Sequence, residues 1–261
     1  MSHVHLRHWP GDPARPALAI HCMMGSSRAF DPVAARLGGR VALHGFDLPS
    51  HGRSAKWRPE AGEDYHSTVT RIARGLIRDV AGDGPLDLIG HSIGATVALR
   101  IAVDTPALVR SLTLIEPVLF AASPHGHALD GQLAELAAEG RMEQATRLFM
   151  DMWGGPGGFD ALPAATSRAA IAQMPLILET GPAMSGDCHH ILRPGGLESI
   201  LAPVMLIAGA DSPPVIAEIA ETLAARLADV GRASVPGAGH MLPMTHPEQV
   251  AGLIAVNLDR S

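Results

Sequence analysis

The sequence predicts an α/β protein whose mostly parallel sheet is doubly wound. Four short runs are apolar almost throughout, as strands covered on both faces must be; they are ALAIHC, LDLIG, SLTLI and VMLIAG. Between such runs lie loops with glycine or proline, followed by segments whose apolar residues recur three or four positions apart. This alternation is typical of strands connected by helices, which indicates a parallel sheet with helices on both faces.

The predicted elements follow one another in a regular order. Strands are predicted at about 3–9, 17–22, 41–46, 86–90, 110–116, 203–208 and 232–236. Helices are predicted at about 28–37, 64–81, 93–103, 213–228 and 245–258. This order of strands and helices implies the doubly wound arrangement.

Residues 121–198 interrupt the alternation. The segment carries helical patterns, such as LDGQLAELAAEGRMEQATRLFMDMW and SRAAIAQMPLILETG, but no convincing strand pattern. A helical insertion between two strands is expected to lie over the carboxyl edge of the sheet as a cap. We therefore predict a core of residues 1–120 and 199–261 with a helical cap of residues 121–198.

The composition argues against some classes of binding partner. The chain has 261 residues, of which 47% are hydrophobic, and a formal net charge of −6; it supplies no basic face for nucleic acid. Neither a run of about 18 apolar residues nor a secretion-signal pattern is evident, so we expect a cytoplasmic protein with no membrane partner. Cys22 and Cys188 lack the spacing of a disulfide framework and are expected to be free thiols.

The pentapeptide Gly-His-Ser-Ile-Gly at residues 90–94 is the strongest chemical signal. It matches G-x-S-x-G, a strained turn between a strand and a helix that exposes a serine hydroxyl. A buried strand is predicted directly before it and a helix directly after it. Ser92 is therefore the predicted nucleophile.

A serine hydroxyl needs a base that removes its proton. His240 lies in VPGAGHMLPMTHPEQV, after the last predicted strand and before the last helix, which returns it to the edge of the sheet where Ser92 is expected. We predict His240 as this base. His246, beside Pro247, is expected to have a structural role at the start of the final helix.

Several motifs in chain order resemble the α/β-hydrolase superfamily. Besides GHSIG, they are IHCMMGSSRAF, FDLPSHGRS and the His240 segment. The resemblance implies an oxyanion hole made of the backbone N–H groups of Met23 and Ile93. Cys22 stands where a glycine is usual, which bears on the geometry of that turn. We interpret the DLPSHGRS loop, including His51, as structural.

The carboxylate that should orient His240 has two candidates. The superfamily usually supplies an aspartate in a Gly-x-x-Asp pattern after the strand at 203–208; here Ser212 occupies that position and Asp211 lies one residue early. Glu116 ends the strand SLTLI, and some branches, notably haloalkane dehalogenases, take their acid from that strand end. A glutamate placed there needs a charged partner, and a protonated histidine would be one. This favours Glu116 slightly over Asp211.

A serine nucleophile implies attack on a carbonyl and an acyl-enzyme. Hydrolysis of a carboxylic ester or lactone is the first prediction. Hydrolytic C–C cleavage of a diketone, as in meta-cleavage product hydrolases, and a non-catalytic protein that binds small molecules are the alternatives.

The predicted cap offers apolar side chains to a small-molecule substrate. Candidates for its lining are Leu148, Phe149, Met152, Trp153, Met174 and Leu178, although packing of the cap onto the core explains their spacing equally well. We predict no cofactor, because no phosphate-binding glycine loop is evident. We also predict no metal site: the triplet Cys188-His189-His190 is interpreted as accidental.

Overall fold

The computed structural model describes residues 3–59, 62–82, 84–125 and 128–261, with the side chain of residue 128 left out. Within these ranges the chain forms one seven-stranded sheet with the strand order β1-β3-β2-β4-β5-β6-β7. The strands are β1 (Leu6–Trp9), β2 (Pro16–Ile20), β3 (Ala42–Phe46), β4 (Leu86–His91), β5 (Val109–Ile115), β6 (Val204–Gly209) and β7 (Val230–Val235). This architecture confirms the predicted fold class.

The sheet is mostly parallel. β1 pairs antiparallel with β3, and every other neighbouring pair is parallel. The central strand β4 is buried along its whole length, whereas β1 alternates between exposed and half-buried residues at the edge. Each strand predicted from the sequence is present, with ends that differ by up to three residues.

Helices cover both faces of the sheet. The longer ones are α1 (Asp31–Leu37), α2 (Tyr65–Ala81), α3 (Ile93–Asp104), α4 (Ala128–Ala138), α5 (Met142–Trp153), α6 (Ala164–Ser185), α7 (Pro214–Ala224) and α9 (Pro247–Leu258), with a single turn, α8 (Leu242–Thr245), before the last. Successive residues of a strand point to opposite faces. Leu88 of β4 accordingly belongs to one buried cluster, with α2, α3 and α7, while Ile89 belongs to the other, with α1 and α9.

The C-terminal helix is shorter than predicted. The sequence pattern predicts one helix over 245–258, but the chain forms α8 and α9 with a break at His246, whose φ of −130° lies outside the helical region. Pro247 explains the break, because the residue before a proline is driven out of the helical conformation. Pro247 then occupies the first position of α9, where a missing N–H costs nothing.

The inserted segment, residues 121–198, connects β5 to β6. Its described part contains α4, α5 and α6 and no strand. Leu133, Trp153 and Met174 join the same buried cluster as one face of the sheet, so the segment packs directly onto the core. Among the described residues, none of the helices has the length and apolar character needed to cross a bilayer.

Candidate functional site

Ser92 lies on a sharp turn between β4 and α3. Its backbone has φ 59° and ψ −122°, a conformation that non-glycine residues rarely adopt. Two close approaches require glycine beside it. A Cβ atom on Gly90 would lie 2.3 Å from the carbonyl oxygen of Gly94, and one on Gly94 would lie 2.1 Å from the carbonyl oxygen of Ile20. The spacing of the motif is therefore imposed by the turn that holds Ser92 at the end of the central strand.

His240 is paired with the carboxylate of Glu116. Nδ1 of His240 lies 2.6 Å from Oε2 of Glu116, and both side chains are almost completely buried. Glu116 directly follows β5, and His240 lies in the loop between β7 and α8. The parallel strands bring these distant residues to one edge of the sheet. Since Nδ1 faces the carboxylate, it is the nitrogen that carries the proton, which leaves Nε2 as the basic nitrogen of a neutral ring.

The other oxygen of Glu116 is also satisfied. Oε1 accepts a hydrogen bond from the backbone N–H of Gly209 at 2.6 Å and another from the hydroxyl of Ser212. Burial raises the pKa of the Glu116 carboxyl, but the hydrogen bonds from His240, Ser212 and Gly209, with the charge of His240, outweigh it and leave the pKa below its ordinary value. Glu116 is therefore held as a carboxylate.

Asp211, the second carboxylate considered from the sequence, lies elsewhere. Its residue is exposed, and its backbone N–H bonds to the carbonyl oxygen of Ala238. Ser212, one residue later, is the one that reaches Glu116. The structure thus brings Glu116, rather than Asp211, to His240.

Two cavities meet at Ser92 and His240. The first lies against α4 and α6 and is also lined by Met23 and Ile93, whose N–H groups were considered as oxyanion donors. The second lies against α5 and the start of α6. It is lined by five methionines, Met23, Met24, Met150, Met241 and Met244. Because methionine is flexible and polarisable, this second cavity can adapt its shape to what it holds.

Phe149 and Trp153 of α5 line both cavities. The indole of Trp153 stands edge-on to the His240 ring with 4.9 Å between centroids, so the inserted segment contacts His240 directly. Met152, which the sequence suggested as a lining residue, is instead 41% exposed and lies outside the lining of both cavities. An α-helix turns by about 100° per residue; Phe149 and Trp153 are four positions apart and share a face, and Met152 lies beside that face.

Two buried histidines support the turn that carries Met23. His21 accepts a hydrogen bond at Nε2 from the N–H of Leu48 (2.9 Å), with its Nδ1 against the carbonyl oxygen of Cys22. His51 accepts at Nε2 from the N–H of Met24 (2.9 Å), with its Nδ1 against the carbonyl oxygen of Pro49. Both rings are neutral in this arrangement, and burial lowers the pKa of each. The HCMMG turn and the DLPSHG loop are thus joined by histidine side chains.

His91, directly before Ser92, supports the loop of His240. Its Nε2 lies 2.8 Å from the backbone carbonyl oxygen of His240, and the two rings lie 5.0 Å apart. Burial lowers the pKa of His91 to about 3, so the ring is neutral and Nε2–H is the donor. The pentapeptide at residues 90–94 therefore carries Ser92 and also, through His91, supports the loop of His240. The sequence analysis interprets His51 as structural without naming its contacts, and the sequence carries no signal for the supporting roles of His21 and His91, which arise from contacts between segments.

The comparisons with known proteins agree with this fold. The alpha/beta hydrolase family matches residues 17–253, and the chain belongs to that family. It is 28% identical to 2-(acetamidomethylene)succinate hydrolase of Mesorhizobium japonicum, over 88% of this chain and 83% of the relative.

Solved structures share the same architecture. A carboxylesterase from Bacillus subtilis matches with a TM-score of 0.73 at 20% identity, covering 98% of this chain and 88% of the other. An enol-lactonase from Burkholderia xenovorans matches with a TM-score of 0.72 at 16% identity, covering 99% and 97%. At these identities the likeness shows the fold. The family and the hydrolases among its relatives support an enzyme.

Proposed function

We propose that this protein is a serine hydrolase that cleaves an uncharged carboxylic ester or lactone through an acyl-enzyme. The observation that carries the proposal is the 2.6 Å contact between Glu116 and His240 at cavities that Ser92 also lines. A nucleophile, a base and a carboxylate that orients the base are the groups that acyl transfer needs.

In this proposal Glu116 is the acid of the triad. Its carboxylate holds Nδ1–H of His240, so that Nε2 is free of a proton and able to accept one. When His240 becomes positively charged during the reaction, the buried anion stabilises it. Asp211, exposed and away from His240, has no part in this role.

The reaction begins with attack of the Ser92 hydroxyl oxygen on the carbonyl carbon while Nε2 of His240 takes the hydroxyl proton. The tetrahedral intermediate then collapses, the bond to the leaving oxygen breaks, and His240 gives its proton to that oxygen. A water molecule, activated by His240, attacks the acyl-Ser92 ester in the same way. The carboxylic acid product is released, and the hydroxyl of Ser92 is regenerated.

The negative oxygen of the tetrahedral intermediate needs donors aimed at it. We assign these to the backbone N–H groups of Met23 and Ile93, since both residues line the first cavity beside Ser92. Ile93 is also the first residue of α3, where backbone N–H groups lack partners within the helix. Removal of one such donor typically costs about 3 to 4 kcal/mol of transition-state stabilisation.

The cavities favour a substrate without a negative charge. The first cavity is mainly apolar, with Val118, Phe120, Leu133, Ile177 and Met184 in its walls, and its one acidic lining residue among those described is Asp130. Neither cavity is lined by an arginine or a lysine from the described part of the chain. Burying a carboxylate there without a cationic partner would be costly. The Mesorhizobium relative is named for a succinate derivative; for this chain we propose a neutral, mainly apolar substrate.

The inserted segment has the role of a cap in this proposal. Residues from α4, α5 and α6 form the outer walls of the first cavity above Ser92. Walls of this kind exclude water from the reacting carbonyl, and they set the shape that the substrate must fit.

The proposal is tested by a time course of p-nitrophenyl butyrate hydrolysis. The purified protein is expected to turn over the ester, and Ser92→Ala is expected to abolish turnover while circular dichroism shows an intact fold. The p-nitrophenyl monoester of succinate, which is similar in length but anionic, should give a kcat/KM at least tenfold lower. Absence of turnover, together with failure of Ser92 to react with a fluorophosphonate, would overturn the proposal.

A further inference from the structure

A second group of reactive side chains lies apart from Ser92, where α2 begins and α6 has just ended. Asp64 is the residue before α2, and Cys188 and His189 lie in the loop after α6. One ligand atom from each, a carboxylate oxygen, a thiol sulfur and an imidazole nitrogen, lies within 4.8 Å of the others. Oxygen, sulfur and nitrogen are the donors that zinc accepts in proteins.

The spacing of these atoms suits a tetrahedral ion. Bond lengths of about 2.0 to 2.3 Å from zinc place neighbouring ligand atoms roughly 3.3 to 3.6 Å apart. Oδ2 of Asp64 already lies 3.2 Å from Nε2 of His189. The sulfur of Cys188 lies within 4.8 Å of both ligand atoms and belongs to an exposed residue. A metal would replace the proton that Asp64 and His189 now share.

The surroundings orient these groups. Asp64 accepts hydrogen bonds from the backbone N–H and the hydroxyl of Ser67 (2.8 and 3.1 Å), which hold its carboxylate in place. The ring of His189 stacks on His66 with centroids 5.1 Å apart and 18° between planes. His66 is itself almost fully buried, and its Nε2 has no partner among the described residues. Hydrogen-bonded and packed supporting residues of this kind are usual around metal ligands.

Charges of both signs lie near this group. The Arg100 guanidinium lies near the group, but its Nε is 3.8 Å from Asp104, and its Nη1 faces Ser67. The carboxylate of Asp64 and the sulfur of Cys188, both of which bind metals as anions, lie within 4.8 Å of each other, and a divalent ion would neutralise both.

We propose that Asp64, Cys188 and His189 form a zinc-class metal site that clamps the inserted segment to the core. The ion would connect the beginning of α2 to the loop that follows α6, and its fourth position would hold a water molecule. The sequence analysis predicts no metal site, because it interprets the triplet Cys188-His189-His190 as accidental. Asp64, which completes the set, is 125 residues from His189. This site is independent of the chemistry proposed for Ser92.

Cobalt(II) tests the site directly, because a bound thiolate gives cobalt an intense charge-transfer band that histidine and carboxylate ligands do not. Protein stripped with a chelator and kept under argon is titrated with cobalt(II). The band should saturate at one ion per chain and disappear when zinc is added. Cys188→Ser should lose the band, and Asp64→Asn, which still caps α2, should weaken binding by about tenfold or more.

His190→Ala is the matched control, since His190 is the exposed neighbour of His189 and lies outside the group. It should bind cobalt as the parent does. The other cysteine, Cys22, is buried at the Ser92 site, so a band that persists in Cys188→Ser would overturn the assignment. Cobalt binding without any thiolate band would show histidine binding only and would also overturn it.

Thermal unfolding supplies a second readout. A metal that binds only the folded chain raises its stability, so zinc should raise the Tm of the parent and of His190→Ala but not that of Cys188→Ser. Equal shifts in all three proteins would contradict a clamp at Cys188.

Discussion

Ser212 donates a hydrogen bond through its hydroxyl to Oε1 of Glu116, the carboxylate whose other oxygen contacts His240. Ser212 stands in the Gly-x-x-Asp position where the family usually has its acid. The acid proposed here and the usual position are therefore in direct contact. We therefore expect a carboxylate at either residue to be able to reach the same imidazole.

This contact predicts that the carboxylate that orients His240 can be moved from residue 116 to residue 212. Glu116→Gln should lower kcat by a factor on the order of 10³ to 10⁴, because an amide cannot stabilise the charged His240. Adding Ser212→Asp to Glu116→Gln should recover at least tenfold of that loss. The rates are measured with p-nitrophenyl butyrate under saturating substrate.

Asp211→Asn is the matched control for the acid. It removes a carboxylate one residue from Ser212, and kcat should stay within about twofold of the parent because Asp211 is exposed. A large loss in Asp211→Asn with an active Glu116→Gln would transfer the role to Asp211.

The turn at Ser92 predicts a strict requirement for glycine at position 94. The new Cβ of Gly94→Ala would lie 2.1 Å from the carbonyl oxygen of Ile20, a backbone atom that cannot rotate away. We expect a loss of about 1 to 3 kcal/mol in the free energy of unfolding and a loss of activity as Ser92 is displaced. Urea unfolding and ester hydrolysis are the measurements.

Gly75→Ala is the control for this substitution. Gly75 lies within α2, and no atom lies within 4 Å of its added Cβ. There the alanine should stabilise by roughly 0.5 to 1 kcal/mol. If both variants behaved alike, the close approach at Gly94 would not be the cause.

Much of the fold could be predicted because the sequence patterns that indicate strands, helices and the turn at Ser92 each lie within a short stretch of chain. Apolar runs marked the strands, and a glycine-spaced serine between a strand and a helix marked Ser92. His240 could be predicted because the order of the elements returns it to the same sheet edge. Glu116 could be weighed against Asp211 only by the cost of burying a charge, since the contact between Glu116 and His240 joins residues 124 positions apart.

Contacts between distant segments are what the sequence did not reveal. His51 meets Met24 across 27 positions, and its motif says nothing of that bond. Met152 was misplaced because a helical segment shows which residues are apolar but not which of two adjacent faces meets the core. Periodicity carries no information on the sulfur-lined second cavity, which gathers methionines from three separate regions.

The bond from Met24 to His51 predicts that His51 positions the turn that carries Met23, a proposed oxyanion donor. His51→Ala should lower kcat by about ten- to a hundredfold, with a smaller effect on KM, because the N–H of Met23 would no longer be held in place. His51→Gln keeps an acceptor for the Met24 N–H and should recover part of the loss. If the two variants lost activity equally and in proportion to their stability, His51 would have only a structural role.

Activity should fall at acid pH. Protonated His240 cannot accept the proton of Ser92, whereas Glu116, whose pKa lies below its ordinary value, stays ionised. The profile of kcat/KM between pH 5 and 8 should therefore show a single acid limb. A flat profile for the parent would contradict His240 as the base.

The free energy of unfolding should also decrease at acid pH, because three buried histidines bind protons less readily in the folded chain than in the unfolded chain. Burial lowers the pKa values of His21, His66 and His91 to about 3, while the same residues in the unfolded chain titrate near 6.5. Between these values the unfolded chain binds protons that the folded chain does not. The contribution of each ring to stability is thus fully present above about pH 6.5 and is lost as pH falls towards 3.

Urea unfolding between pH 7 and pH 4, with a chelator present, measures this effect. Unfolding near pH 5 should be accompanied by the uptake of up to three protons at these residues. His66→Gln should reduce this uptake by up to one proton and make the decline in stability less steep. His190→Gln, at an exposed residue, should leave the slope unchanged. Because the His66 ring is buried against Arg100, with its Nδ1 3.2 Å from the guanidinium, a proton on it would face a neighbouring cation. A slope that His66→Gln does not alter would mean that His66 is protonated in the folded protein.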